Sequence, residues 1–151
     1  MTTLISLYMW TIGILYAFPL ICIGLLLTFF ISQKSLDPWL KKRMRLLFKV
    51  LGIRVEIEGA DIIDPQKTYL FMANHVSIFD GPLLEGFIPT YVRGVEARRQ
   101  FKWPIYGWAI RRWGNIPIDR KSIFSSMRSM KKIAGILKDG RSIAILPEGH
   151  R

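Results

Sequence analysis

Polar and apolar positions divide this chain sharply. From Leu4 to Ile31 the side chains are apolar except for Ser, Thr, Gly and one Pro, and the first charged residue is Lys34. The run exceeds the roughly 20 apolar residues that a helix needs to cross a bilayer. A cleaved leader fits it poorly: the run is too long, no Lys or Arg precedes it, and no small-x-small site follows. Pro19 sits inside the run. It either kinks one tilted helix or divides the segment into two short helices that enter one leaflet and return. Cys22 reads as lipid-facing or packing filler and not as a nucleophile.

From Leu36 to Leu51 the pattern becomes helical. Leu36, Trp39, Leu40, Met44, Leu47, Phe48 and Leu51 recur at three- and four-residue steps, and Lys41, Lys42, Arg43, Arg45 and Lys49 fall largely on the other side. Asp37 suits the N-cap, Pro38 the first helical position and Gly52 the stop. A basic amphipathic helix of this kind packs on a core or lies on a membrane. Its place directly after an apolar segment favours the membrane, where each basic residue near anionic lipid contributes on the order of 1 kcal/mol. The same cluster puts this side of the membrane in the cytoplasm; the expected membrane is a bacterial inner membrane.

Short strands and helices then alternate. Ile53, Val55 and Ile57 read as a strand with one wet face, and Thr68 to Ala73 as a strand buried on both faces. Asp80 to Phe87 reads as a short helix, Tyr91-Val92 as a strand, Trp103 to Trp113 as a helix opened by Pro104, and Asn115 to Ile118 as a strand. Ser122 caps a helix that carries Ile123, Met127, Met130, Ala134 and Leu137 and closes at Gly140. Ser142 to Leu146 is a further buried strand. The alternation predicts an α/β fold, a mixed or parallel sheet flanked by helices, behind an N-terminal membrane helix or helical hairpin. The expected organisation is residues 1–33 as membrane anchor, 34–52 as basic amphipathic interfacial helix and 53–151 as the N-terminal part of the α/β domain.

Composition narrows the function classes. The 151 residues include 22 Lys or Arg and 11 Asp or Glu, a net charge of +11, and one Cys. One Cys excludes a disulfide framework and a Cys-rich zinc site. The basic residues are spread over several segments without a nucleic-acid module, so lipid headgroups are the expected polyanion and nucleic acid is not.

Three blocks carry candidate chemistry. His75, directly after a predicted strand, is followed five residues later by Asp80. Such a carboxylate can fold back onto Nδ1 and fix the tautomer, leaving Nε2 to take a proton from a hydroxyl. The plainer reading is a structural His and a capping Asp. Gly114 to Arg120 (GNIPIDR) places an Arg after a strand and before a helix start, which suits a phosphate or a surface turn. Pro147 to Arg151 (PEGHR) follows another buried strand, with Gly149 allowing close backbone approach and Glu148 and Arg151 beside it. If these strands are parallel neighbours, the three blocks meet in one crevice.

Together, NHVSIFD, GNIPIDR and PEGHR resemble the ordered blocks of the glycerolipid acyltransferases, specifically the 1-acylglycerol-3-phosphate O-acyltransferase (lysophosphatidic acid acyltransferase) family, over roughly Ile53 to Arg151. The resemblance implies direct acyl transfer from acyl-CoA or acyl carrier protein to the free hydroxyl of 1-acylglycerol-3-phosphate, giving phosphatidic acid, with no cofactor and no metal. It implies His75 and Asp80 as catalytic residues, and Asn74, Gly114, Arg120, Glu148, Gly149 and Arg151 as substrate-binding ones. His150 stands where the family usually has Thr. The family normally continues past the third block, so a longer parent protein is expected. Glycerol-3-phosphate or another lysolipid as acceptor, a thioesterase, and a non-catalytic lipid-binding protein are the alternatives.

Overall fold

Ser142, Ile143 and Ala144 are buried because they form the centre of a sheet. The computed structural model describes residues 2–119 and 123–148. Its elements are α1 (Thr2–Leu27), α2 (Gln33–Val50), β1 (Leu70–Met72), α3 (Asp80–Phe87), β2 (Val92–Ala97), α4 (Tyr106–Trp113), β3 (Ile116–Ile118), α5 (Ile123–Lys138) and β4 (Ser142–Ile145). The sheet runs β1-β4-β2-β3 with every pairing parallel. Side chains alternate across β4. Ile143 packs with Ile116, Ile133 and Ile136 under α5, and Ala144 packs with Ile88 and Val92 on the α3 side. The result is a sheet between helical layers, as the alternation predicted.

Two strand expectations fail. No strand forms at 53–57. Its alternation supplies an apolar face, but the described sheet offers it no partner, and Arg54 and Glu56 pair with each other in solvent at 2.9 Å. The 68–73 segment forms β1, but it is not buried on both faces. Phe71 packs toward the α3 side, whereas Leu70 and Met72 are 43% and 62% exposed on the other face. There α5 packs chiefly over β3 and β4.

The glycine stops are confirmed. Gly52 and Gly140 have φ of 69° and 78°, and Gly114 has 86°. After α2, Gly52 N–H donates to the Lys49 carbonyl and Ile53 N–H to that of Phe48; α4 and α5 end in the same paired pattern. This double bond satisfies carbonyls that a helix end leaves open. The starts were read less well. α2 is capped by Ser32, whose Oγ accepts from Ser35 N–H at 3.2 Å, and Asp37 lies inside the helix, 3.2 Å from Lys41. α4 begins at Tyr106 and not near Trp103. A turn centred on Ile105 (φ 59°, Tyr106 N–H to Pro104 carbonyl 2.6 Å) delays it.

α1 runs unbroken through Pro19, so the proline does not divide it. At 26 residues it is about 39 Å long. It folds back along α2: Tyr16 OH donates to the Arg43 carbonyl at 2.9 Å, and Gly24 faces the Trp39 ring. The hairpin is therefore formed by α1 with α2. Arg112 holds its turn, donating to the Thr28 carbonyl at 2.7 Å and stacking 4.4 Å over Phe29.

The basic side of α2 does not all face outward. Lys41 Nζ donates to the Glu85 carbonyl at 3.1 Å and Arg45 Nε to the Gly86 carbonyl at 2.7 Å, so both cap the C-terminus of α3. Gly86 permits the approach, since a Cβ there would lie 3.1 Å from Met44 Cβ. Phe48 adds ring contacts to Phe79 and Phe87. Burial pushes the Glu85 carboxyl up to about 7; Lys41 opposes this, Asp37 adds to it and Arg93 opposes it. A raised folded-state value means that the folded protein binds this proton more tightly than the unfolded chain. Glu85 therefore costs stability as pH rises from its ordinary value of 4.5 through about 7.

Glu85→Gln should raise the melting temperature at pH 8 more than at pH 5, as measured by circular dichroism; an equal change at both would contradict the buried-proton account. Ile143→Ala should cost about 2–5 kcal/mol in denaturant unfolding, the usual result of opening a cavity at a fully buried aliphatic.

Candidate functional site

Parallel pairing brings described residues of each predicted block to one end of the sheet. His75 follows β1, Glu148 follows the neighbouring β4, and Asp119 follows β3. Adjacent strands lie about 4.8 Å apart, so the ends of β1 and β4 are side by side, whereas β3 is three spacings, roughly 14 Å, from β1. Ligands of open α/β sheets bind in the crevice outside these strand ends.

The His–Asp pair is built by a tight turn. Asp80 opens α3, and its Oδ2 accepts from Val76 N–H at 2.8 Å and Ser77 N–H at 2.9 Å. The same oxygen lies 2.8 Å from His75 Nδ1. Ser77 Oγ accepts from Phe79 N–H at 3.2 Å, so this hydroxyl serves the turn. Burial pushes the Asp80 carboxyl up, but the bonds from Ser77, His75 and Val76 outweigh it and hold the group below its ordinary range. The start of a helix favours the same charge. An ionised Asp80 makes Nδ1 the protonated nitrogen of neutral His75, and leaves Nε2 as the acceptor. Side-chain exposure is 24% for His75 and 12% for Asp80, so the ring is reachable while the carboxylate is sheltered.

The other predicted residues are placed less completely. Asn74 is exposed beside His75, and Glu148 is exposed in the turn after β4. Gly114 is not brought to this end. It lies before β3, where its positive φ closes α4 and a Cβ would sit 3.0 Å from Arg93 Nε. Its glycine identity thus has a backbone reason. Arg120, Gly149 and Arg151, with the predicted cap Ser122 and His150, lie outside the described residues. Among the described residues, no group of three or more His, Cys, Asp or Glu could hold a metal ion.

Sequence reasoning missed a carboxylate in the sheet. Glu96 on β2 accepts from Tyr106 OH at 2.7 Å and from Asn115 Nδ2, and Asn115 Oδ1 accepts from Gly94 N–H. Burial pushes Glu96 up, and the bonds from Tyr106 and Asn115 pull it back. Burial and the Glu96 charge push the Tyr106 hydroxyl up in turn, so it stays a donor. Arg93 is also buried, stacked 4.1 Å over the Tyr91 ring. The available signal was two charges inside a short strand of otherwise apolar or small residues.

Comparison with known proteins agrees with this arrangement. A family model described as Acyltransferase matches residues 54–151. A lyso-ornithine lipid O-acyltransferase of Pseudomonas aeruginosa is 32% identical over 120 residues, covering 79% of this chain and 42% of that protein. A 1-acyl-sn-glycerol-3-phosphate acyltransferase of the same organism is 31% identical over 114 residues, covering 75% and 44%. The chain thus spans somewhat under half the length of these relatives. The crystal structure of the 1-acyl-sn-glycerophosphate (LPA) acyltransferase PlsC from Thermotoga maritima has the same fold, with a TM-score of 0.77 and 24% identity over 99% of this chain and 61% of that one. With its family model matched over residues 54–151, about two thirds of its length, the chain belongs to the acyltransferase family.

Proposed function

We propose that this chain carries the catalytic His–Asp pair of a membrane-associated enzyme that moves a fatty acyl group from an acyl thioester to the free hydroxyl of 1-acylglycerol-3-phosphate, giving phosphatidic acid. The observation that carries the reading is the 2.8 Å contact of His75 Nδ1 with Asp80 Oδ2 at the end of β1. His75 Nε2 takes the hydroxyl proton as the acceptor oxygen attacks the thioester carbonyl. The C–O bond forms, the C–S bond breaks, and the departing sulfur takes the proton from the imidazolium to leave as thiol. Asp80 stabilises the imidazolium between these steps and keeps the ring in register. No acyl-enzyme is required: Cys22 lies in α1, and the Ser77 hydroxyl is engaged in the turn.

Arg120 and Arg151, with Glu148, Gly149 and Asn74, are proposed to hold the acceptor's phosphate region, since their blocks follow β3, β4 and β1. A guanidinium suits this task because its fork matches two phosphate oxygens. We assign α1 to the membrane. It is apolar over Thr3–Leu27, and Leu4, Leu7, Trp10, Leu15 and Leu26 are each more than half exposed. Lys34, Lys42 and Lys49 of α2 are exposed, and we assign them to lipid headgroups on the cytoplasmic side. Similarity to enzymes named for two different acceptors makes another lysolipid the second reading.

His75→Ala should lower transfer from oleoyl-CoA to lysophosphatidic acid by about 10²–10⁴-fold, with lipid association unchanged in vesicle flotation. Unchanged turnover would remove the mechanism, and thioester loss without any lysolipid would favour a thioesterase. Asp80→Asn should lower kcat by about 10³–10⁴-fold with little change in KM for the acceptor, because the amide cannot hold the same tautomer or support the imidazolium. In the wild type, Asp80 stays ionised well below neutrality. Asp80 should therefore add no protonation to the acidic limb of the rate profile, and a limb steeper than one proton would contradict this.

A further inference from the structure

The end of α1 and the flank of α4 enclose a slot of about 280 Å³. Leu25 and Phe29 line it from α1 and the turn that follows, and Trp108, Arg111 and Arg112 line it from α4. The volume falls just under the range of about 300–1,000 Å³ found for small-molecule sites. The slot therefore suits one chain segment and not a whole ligand. Its apolar lining is aliphatic and aromatic, its polar lining is two arginines, and its described lining residues include no Asp or Glu.

Both arginines are held in place. Arg112 is fixed by the Thr28 carbonyl and the Phe29 ring. Arg111 Nη2 donates to the Phe101 carbonyl at 2.6 Å. A guanidinium carries five N–H donors, so each keeps donors for a ligand, and both residues are exposed. Trp108, Phe29 and Phe30 are each more than half exposed as well. Exposed apolar surface rimmed by polar groups marks a contact with another molecule.

The surroundings choose the occupant. The slot is continuous with α1, the segment assigned to the membrane. An indole beside guanidinium groups is the composition of a membrane–water interface, where Trp sits at headgroup level and Arg meets lipid phosphate. A second copy of this chain, docked through the same patch by two-fold symmetry, would set like-charged guanidinium groups against one another. We propose that the slot takes one acyl chain of an anionic diacyl phospholipid of the bilayer, with Arg111 on its phosphate, so that α4 is a second lipid contact beside α1. The proposal rests on the assignment of α1 to the membrane and adds a bound-lipid site to it. A lipid seated there is not the acyl acceptor. The last turn of α4 leads into the start of β3, whereas His75 follows the end of β1, so the two lie at opposite ends of the parallel sheet. They also belong to opposite edges, three strand spacings or roughly 14 Å apart.

The test is indole quenching in the full chain, reconstituted into phosphatidylcholine vesicles that hold a minor fraction of phosphatidylglycerol. Bromine is carried on the acyl chains of one lipid or the other at the same mole fraction. The share of Trp108 is the difference between wild type and Trp108→Phe, and Trp10→Phe gives the share of Trp10 in α1. Brominated phosphatidylglycerol should quench the Trp108 share about fivefold more effectively than brominated phosphatidylcholine, matching the ~1 kcal/mol of one cation near anionic lipid. Arg111→Gln should remove that preference and Arg111→Lys should retain it, with circular dichroism showing both folded. Leu25→Phe narrows the slot and leaves the arginines, and should lower quenching of the Trp108 share by brominated phosphatidylglycerol. Equal quenching by the two lipids in the wild type, a preference that survives Arg111→Gln, or no effect of Leu25→Phe would overturn the proposal. Loss of the preference on adding inorganic phosphate would make the ligand a free anion, and loss on adding lysophosphatidic acid would make the slot the acceptor's site; either overturns it too. Quenching of Trp10 without Trp108 would leave α1 in the membrane and remove the slot's lipid. Quenching of Trp108 without Trp10 would remove the assignment of α1 and leave the slot's lipid standing.

Discussion

A single carboxylate oxygen holds the reactive end of this molecule together. Asp80 Oδ2 receives two backbone N–H groups and lies against the His75 ring, so one atom closes the turn, starts α3 and orients the imidazole. Its charge is maintained against burial by those same partners. Charge-assisted bonds of this kind are roughly twice as strong as neutral ones, and they fix direction as well as position. The arrangement works only while α3 stays in register with β1, which carries the histidine at its end.

That register is set from the other end of α3. Lys41 and Arg45 of α2 take up its last carbonyls, and Gly86 lets the two helices touch. Arg112 serves the same purpose for the turn after α1, and the α1–α2 hairpin is tied to the body through it. Part of the net charge of +11 is therefore spent on helix C-termini inside the fold. A basic helix beside an apolar segment need not turn all its charges outward. Here α2 divides them, with Lys34, Lys42 and Lys49 outward and Lys41 inward.

Much of this was legible in the sequence because it depends on local rules. The helix Asp80–Phe87 falls where it was read, and Gly52 and Gly140 end their helices because each takes a conformation that side chains disfavour. The His75–Asp80 contact was readable because a five-residue turn brings the two together without help from the rest of the chain. What was not legible depends on partners. Alternation at Ile53–Ile57 shows an apolar face but not whether a strand waits beside it. Leu70 and Met72 could be judged exposed only once α5 was known to lie over β3 and β4. The contacts of Lys41 and Arg45 with the end of α3, and the sheltered carboxyl groups of Glu85 and Glu96, follow from helix and strand packing that a spacing rule does not contain. Gly114, read as part of a binding block, also ends α4 with a φ of 86°, which its place in the motif did not reveal.

The ring of His75 offers the most direct test. Imidazole nitrogen NMR on the protein labelled at histidine reports which nitrogen carries the proton. The account predicts that neutral His75 is protonated at Nδ1, with a hydrogen-bonded proton signal that disappears in Asp80→Asn, and that Nε2 is bare. A ring protonated at Nε2, with no change on replacing Asp80, would contradict it.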